Sequence, residues 1–276
     1  MEDRSPTVPL TDFQRGLLAD LAPAEAEGCY LAGGAALHFA PNSARFRDDL
    51  DFFHDSFPRV AMAFATDRSR LEGAGYEVRI ELSLPGFVWA VVEREGGATR
   101  VDWAHDSAWR FMPLVRGPLG GLLLHPVDLA INKVLVLAGR DEARGFVDIL
   151  FAHERILPLA GLCWAAAGKD PGFTPLSLLD LLKRRGRHRR EDFERLQLAK
   201  PFHLVESKQT WLEALSAAET FARERPPEEL GCLYYVRADE RFGIPVPGIP
   251  LDQQGMVPHY GEPGGVIPQV VPAEGP

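Results

Sequence analysis

The sequence predicts an α+β fold: a small mixed β-sheet with flanking helices, then a helical half, then a tail rich in proline and glycine. Three consecutive segments between residues 77 and 104 alternate apolar and polar residues as strands do, and apolar residues recur at helical spacing from Pro126 onward. The last 34 of the 276 residues hold eight prolines and seven glycines. We therefore expect an α+β domain over residues 1–118, a helical domain over 119–242, and a tail over 243–276 that is disordered or extended.

The first domain alternates helices and strands. The patterns predict helices over 10–27, 35–40 and 60–71, and strands over 29–32, 50–53, 77–84, 87–93 and 99–104. Glycine-containing turns separate the last three strands. In the second domain the patterns predict helices near 126–138, 141–155, 157–167, 175–185 and 205–224. Clustered glycines and a proline at 116–121 suggest the domain boundary.

Composition excludes several classes of protein. With 46% hydrophobic and 25% charged residues, the chain is neither disordered in bulk nor fibrous. No apolar run approaches the roughly 20 residues of a membrane span, and the acidic N-terminus lacks an apolar signal core, so we expect a cytoplasmic protein with no membrane partner. Cys29, Cys163 and Cys232 lie too far apart for a zinc knuckle or a disulfide framework. A net charge of −9 argues mildly against broad nucleic-acid binding.

A glycine pair and a D-x-D motif are the first candidates for chemistry. Gly33-Gly34 lies between a predicted strand and a helix, where glycine lets the backbone approach an anion closely; a tight turn is the alternative explanation. Asp49 and Asp51 enter an apolar strand and would project from the same side of it. Their mutual repulsion would be relieved by a proton or by a divalent cation such as Mg²⁺, unless they form an exposed acidic strand end.

A third carboxylate would complete a metal site. Asp102 lies between apolar Val101 and Trp103, so it alternates onto the opposite face from them. If its strand neighbours residues 50–53, three carboxylates converge, and we expect them to hold two metal ions for in-line transfer of a phosphoryl or nucleotidyl group. The alternative is a solvent-facing strand residue.

These features resemble the AbiEii-type nucleotidyltransferases of the DNA polymerase β-like superfamily. The first family motif, G-G-x-A-L followed by an arginine and D-L-D-F, matches at Gly33, Gly34, Ala36, Leu37, Arg45, Asp49, Leu50, Asp51 and Phe52. A second motif, a lysine followed by R-D-x-x-R-D-x-x-D-[LI], matches at Lys133, Arg140, Asp141, Arg144, Asp148 and Ile149. The resemblance covers about residues 28–150.

The second motif also has an interpretation from spacing. Lys133, Arg140, Arg144 and Asp148 would share one face if a single helix continued past Gly139. Lys133 and the arginines would then contact the triphosphate of a nucleotide, and Asp148 would orient a cation or the nucleotide. The alternative is an intrahelical salt-bridge ladder in which Arg144 pairs with Asp148. We expect Lys133 and Asp148 to face the same cleft as Gly33-Gly34.

The resemblance implies a metal-dependent enzyme that moves a nucleoside monophosphate from an NTP to a hydroxyl acceptor. Asp49 and Asp51 would hold two Mg²⁺, and Asp102 would complete the site and help to deprotonate the acceptor. The family includes toxins of toxin–antitoxin and phage-defence systems, some of which modify tRNA ends, so an RNA or protein acceptor and an antitoxin partner are implied. Two departures stand out: Ala35 replaces the usual Ser or Thr, and Gly145 replaces the usual aspartate.

Two other functions stay open. The departures fit a weakly active or inactive nucleotide-binding partner in a protein complex, and the same chemistry could act on a small molecule such as an antibiotic. A dense basic run at 183–190 favours RNA, because phosphate contacts require concentrated positive charge; a solvated helix end is the alternative. We expect this run to border the cleft of the aspartates.

Overall fold

The computed structural model describes residues 10–22, 28–39, 49–196, 198–199 and 201–269. The chain divides into two compact units that are each discontinuous in sequence. Unit 1 comprises Met1–Ala108, Leu114–Leu129 and Glu194–Phe202, and unit 2 comprises Trp109–Pro113, Ala130–Phe193 and His203–Pro276.

Helices and strands follow one another as the amphipathic patterns suggest. The helices are α1 (Asp12–Leu21), α2 (Gly33–Leu37), α3 (Val60–Gly73), α4 (Pro126–Gly139), α5 (Ala143–Arg155), α6 (Leu159–Lys169), α7 (Pro175–Arg185), α8 (Arg190–Glu194) and α9 (Leu204–Glu224). The strands are β1 (Tyr30–Ala32), β2 (Asp49–His54), β3 (Glu77–Leu84), β4 (Phe87–Arg94), β5 (Gly97–His105), β6 (Trp109–Arg110), β7 (Val115–Arg116), β8 (Leu122–Leu123), β9 (Leu233–Val236), β10 (Arg241–Gly243), β11 (Met256–His259) and β12 (Glu262–Pro263).

Unit 1 contains a mixed sheet of seven strands in the order β3-β4-β5-β2-β1-β8-β7. The β5–β2 and β1–β8 pairs are parallel, and the other neighbours are antiparallel. The parallel β2–β5 pair brings the D-x-D motif beside the strand that carries Asp102. The expected α+β fold with a mixed sheet is confirmed.

One face of this sheet packs against α3 and holds the core of unit 1. Leu50, Phe52, Val101 and Trp103 alternate onto this face and are buried. The Trp103 indole donates a hydrogen bond of 2.8 Å to Asp67 of α3 and makes an edge contact with Phe64. Because neighbouring residues on a strand point to opposite faces, the aspartates of β2 and β5 project from the other face.

Unit 2 contains a cluster of helices around α6, whose residues from Leu159 to Ala167 are all buried. Aromatic contacts join the helices: Phe146 of α5 packs on Trp211 of α9, and Trp164 of α6 meets the edge of Phe221. In the described part of the chain, no helix has both the length and the apolarity needed to cross a membrane.

The Pro- and Gly-rich segment contributes strands to unit 2. β11 and β10 pair with β9 on either side, and β12 pairs with β6, more than 150 residues earlier in the chain. Strand β9 and the first two residues of β10 also lie within residues 119–242, the segment expected to be helical. The expected boundary at 118 falls inside unit 1, because β8 extends the sheet beside β1. The three-part division made from sequence stays a prediction.

Candidate active site

Asp49, Asp51 and Asp102 project from one face of the unit 1 sheet. Asp51 and Asp102 are register partners on the parallel strands β2 and β5, and Asp49 precedes Asp51 by two residues. Directly opposed residues on neighbouring strands, and residues two apart on one strand, share a face. All three side chains are half-buried, whereas Leu50 and Val101 between them are fully buried. The strand pairing thus places on one face of the sheet the three carboxylates that the sequence singled out.

Gly33 lies directly against this acidic face. Ala32 of β1 pairs with Asp51, and the chain then turns into α2 at Gly33 with a φ of +63°. A Cβ atom at position 33 would overlap the carboxylate of Asp51. Gly33 is therefore required both by its left-handed backbone and by the close approach of the aspartate.

Arg100 binds one of the three carboxylates. Its Nε and Nη2 atoms donate to Oδ1 and Oδ2 of Asp102 at 2.6 and 2.8 Å, a two-pronged contact in which both carboxylate oxygens accept. The guanidinium also lies 4.6 Å from the ring centre of Trp89, the residue opposite Asp102 on β4. The hydrogen bonds from Arg100 to Asp102 raise the pKa of the guanidinium above its usual value, and Asp49 and Asp51 raise it further.

The acidic face provides oxygen ligands but not a preformed three-ligand cage. Among the described residues, no three His, Cys, Asp or Glu side chains are grouped so as to hold a metal ion. The donor chemistry nevertheless suits a hard divalent cation, since three carboxylates share one face and Asp51 and Asp102 are opposed. Arg100 now supplies the positive charge beside them.

Lys133 and Asp148 form an ion pair in unit 2. The Lys133 Nζ lies 2.9 Å from Oδ2 of Asp148, and the two side chains are 13% and 1% exposed. The pairing joins α4 to α5, so each residue stabilises the other in a largely buried setting. Whether the pair faces the same cleft as Gly33-Gly34 stays a prediction.

The helices expected near 126–138 and 141–155 are present as α4 and α5, so the single helix that would place Lys133, Arg140, Arg144 and Asp148 on one face does not form. α4 ends at Gly139 and α5 begins at Ala143, with Glu142 extended at φ −126° and ψ 129°. Arg140 lies in the connection, and Arg144 forms an ion pair with Glu142, lowering the pKa of that carboxyl. Asp148 pairs with Lys133. Lys133 and Asp148 therefore pair between two helices, because α4 ends at Gly139, a residue type that disfavours helix.

Solved structures identify the fold. Neither a protein-family model nor a curated protein sequence matches the chain. The crystal structure of JHP933 from Helicobacter pylori matches with a TM-score of 0.50 and 17% identity over 78% of this chain and 94% of that one. MenT4, the nucleotidyltransferase toxin Rv2826c of Mycobacterium tuberculosis H37Rv, matches with a TM-score of 0.51 and 15% identity over 78% of this chain and 84% of that one.

The chain has a nucleotidyltransferase fold. The fold that the sequence resemblance implied is therefore confirmed. Arg45 of the first family motif lies outside the described residues.

Two positions depart from the family motifs that the sequence resembles, and packing accounts for both. Ala35 is fully buried, so its methyl group belongs to the core of unit 1. Gly145 lies where α5 meets α4, and a Cβ there would come within 3.1 Å of the Leu137 side chain. An aspartate at this position would place a charge against a buried leucine.

The basic run of this nucleotidyltransferase fold is partly neutralised within unit 2. Lys183 donates to Glu219 at 2.6 Å, a hydrogen bond that lowers the pKa of that carboxyl to about 2, and Arg185 lies 3.6 Å from Asp141. Four arginines of the run are exposed: Arg184, Arg187, Arg189 and Arg190. Its position relative to the aspartates stays a prediction.

Sequence reasoning missed Arg100 and Trp89. The alternation that turns Asp102 away from the core also turns Arg100 to the same face, since they are two residues apart. The R-x-D pattern at 100–102 was therefore the sequence signal that could have placed Arg100 beside the aspartates. Trp89 had a weaker signal, because its place opposite Asp102 depends on the register of β4 on β5.

Proposed function

We propose that this chain is a metal-dependent nucleotidyltransferase that moves a nucleoside monophosphate from an NTP to a hydroxyl acceptor. The observation that carries the proposal is the register of Asp51 opposite Asp102, with Asp49 on the same face and Gly33 beneath Asp51, in a nucleotidyltransferase fold.

The acidic residues would have separate tasks. Asp49 and Asp51 would hold two Mg²⁺ ions, and Asp102 would complete the set of ligands. When bound, the ions would neutralise charge that develops on the reacting phosphate. Asp102 would also accept the proton of the acceptor hydroxyl, whose oxygen forms a bond to the α-phosphorus. The bond from that phosphorus to the bridging oxygen breaks, and pyrophosphate leaves.

The nucleotide contacts are part of the same proposal. The backbone at Gly33 and Gly34 would contact the phosphates beside Asp51, whose carboxylate lies against Gly33. Lys133, Arg140, Arg144 and Asp148 are carried over from the family motif as nucleotide-binding residues. The ion pair between Lys133 and Asp148 supports a structural role for these two residues besides nucleotide binding.

The direct test is transfer of label from each of four α-labelled NTPs to total RNA, to the protein itself or to an aminoglycoside, with Mg²⁺ or with a chelator. We expect labelled RNA that depends on Mg²⁺. Asp51→Asn should lower the rate about 100-fold or more. Asp180→Asn, which removes an exposed carboxyl on α7, is the matched control and should react at the wild-type rate.

One observation favours a second function, that of a nucleotide-binding partner without transfer activity. Both oxygens of Asp102 accept hydrogen bonds from Arg100, so neither is open to a metal ion or to an acceptor hydroxyl while this contact lasts. That function predicts Mg²⁺-dependent NTP binding with no product for any acceptor. Label on the aminoglycoside alone would instead indicate a small-molecule enzyme.

A toxin role is also proposed, because MenT4 is a nucleotidyltransferase toxin of similar fold. Induced expression of the wild-type chain should then stop bacterial growth, while equal amounts of Asp51→Asn should not. A co-expressed antitoxin would restore growth. Equal growth with both chains would argue against toxicity and leave the transfer chemistry intact.

A further inference from the structure

Arg100 has the geometry of a cation bound at the acidic face. Its guanidinium bridges both oxygens of Asp102, and its charge interacts with Asp49 and Asp51 as well. Its side chain is 45% exposed, whereas that of Asp102 is only 15% exposed. The arginine therefore covers the carboxylate from the solvent side.

We infer that Arg100 is the resident counter-ion of the acidic face and competes with a divalent cation for Asp102. The inference rests on the proposed function, because it concerns the same carboxylates. A carboxylate oxygen that accepts a charge-assisted hydrogen bond has less electron density for a metal, and two cations at one carboxylate repel each other. Metal binding at Asp102 thus requires Arg100 to release it.

The surroundings of Arg100 allow that release. The guanidinium also lies over the half-buried indole of Trp89, which attracts it through the ring face. When the hydrogen bonds to Asp102 break, this contact remains and holds the side chain beside the acidic face. Arg100 would then act as a positioning residue: its single charge balances that of one carboxylate, Asp102, and sets the metal concentration at which the site fills.

The test measures binding of Mn²⁺ by the loss of the free-ion electron paramagnetic resonance signal, without nucleotide or acceptor. We expect Arg100→Gln to lower the Kd for Mn²⁺ about fivefold or more, since a competing charge next to the ligands is removed. Arg100→Lys keeps the charge but loses the two-pronged contact, so its Kd should lie between the two. Arg79→Gln, which removes an arginine paired with Glu93 on the same sheet, is the control and should leave the Kd unchanged.

The outcomes separate this inference from the proposed metal site. Asp51→Asn in the Arg100→Gln background should abolish Mn²⁺ binding, which assigns the bound ion to the acidic face. If the wild type and Arg100→Gln bind Mn²⁺ equally, or the variant binds it more weakly, the competition is refuted while the metal site stands. If neither binds Mn²⁺ in a manner that depends on Asp51, the metal site and the inference both fail. Thermal unfolding of each variant verifies that it is folded.

Discussion

The carboxylate of Asp51 occupies the space that a side chain at Gly33 would need. Asp51 lies on strand β2, and Gly33 begins α2 directly after Ala32, the last residue of β1 and the register partner of Asp51. Their fit links the glycine pair to the D-x-D motif through a direct contact.

Gly33→Ala should therefore displace Asp51 and lower nucleotidyl transfer about 100-fold, because a misplacement of about 1 Å at a reacting centre can cost that much. Gly75→Ala is the matched control: its φ is +85°, and a Cβ there meets nothing within 4 Å. Both variants should lose about 1–2 kcal/mol of unfolding free energy from left-handed strain, but only Gly33→Ala should lose activity. Equal activity of the two variants in the transfer assay would contradict a functional role for the close contact between Gly33 and Asp51.

Lys133→Ala should destabilise the protein by up to about 3–5 kcal/mol, because it removes the cation that lies 2.9 Å from the buried carboxylate of Asp148. The double variant Lys133→Met with Asp148→Leu should recover most of the stability, as measured by urea unfolding. If Lys133 also binds the triphosphate, the stable double variant will still bind NTP weakly. Wild-type NTP affinity in that variant would limit Lys133 to a structural role.

Stability should fall as the pH drops below about 6.5. Burial lowers the pKa values of His153 and His259, whose rings bond the Leu159 N–H and the Phe111 carbonyl at 2.9 Å. Below the unfolded pKa the unfolded chain binds more protons than the folded one, so stability is lost as pH falls through the folded pKa values. Urea midpoints between pH 8 and pH 5 measure the effect. His153→Gln with His259→Gln should flatten the curve, whereas His203→Gln at an exposed position should not.

Arg187→Glu with Arg189→Glu should weaken RNA binding and reduce its salt dependence, by roughly 0.7 to 0.9 in slope for each lost phosphate contact. NTP binding should be almost unchanged. Both arginines are exposed members of the basic run. Arg155→Glu with Arg241→Glu makes the same change in net charge at other exposed positions and serves as the control. RNA affinity that falls equally in both double variants would show a general charge effect rather than a binding surface.

Much of unit 1 was predictable from the sequence, because strands β2 to β5 are six to nine residues long and therefore show their alternation. The alternation around Val101 and Trp103 placed Asp102 on the correct face before any register was known. The contact of Arg100 with Asp102 was not predicted, since it depends on side-chain conformations that spacing alone does not specify. Periodicity predicted separate helices on either side of Gly139, but not the ion pair of Lys133 with Asp148, which depends on how the two helices pack. Strands β9 to β12 are two to four residues long, too short for a period to be recognised.

The pairing of β6 with β12 has a consequence for how the chain is made. Glu262 is the register partner of Arg110, so β6 cannot pair until β12 has been synthesised, 152 positions later. During that interval, the two residues of β6 have no strand beside them in the sheet that they will form. Contacts between such distant positions form slowly, because the intervening chain must first be brought together. A chain terminated before residue 262 would therefore lack β12, and the sheet of β6 could not assemble in it, whatever the state of the acidic face.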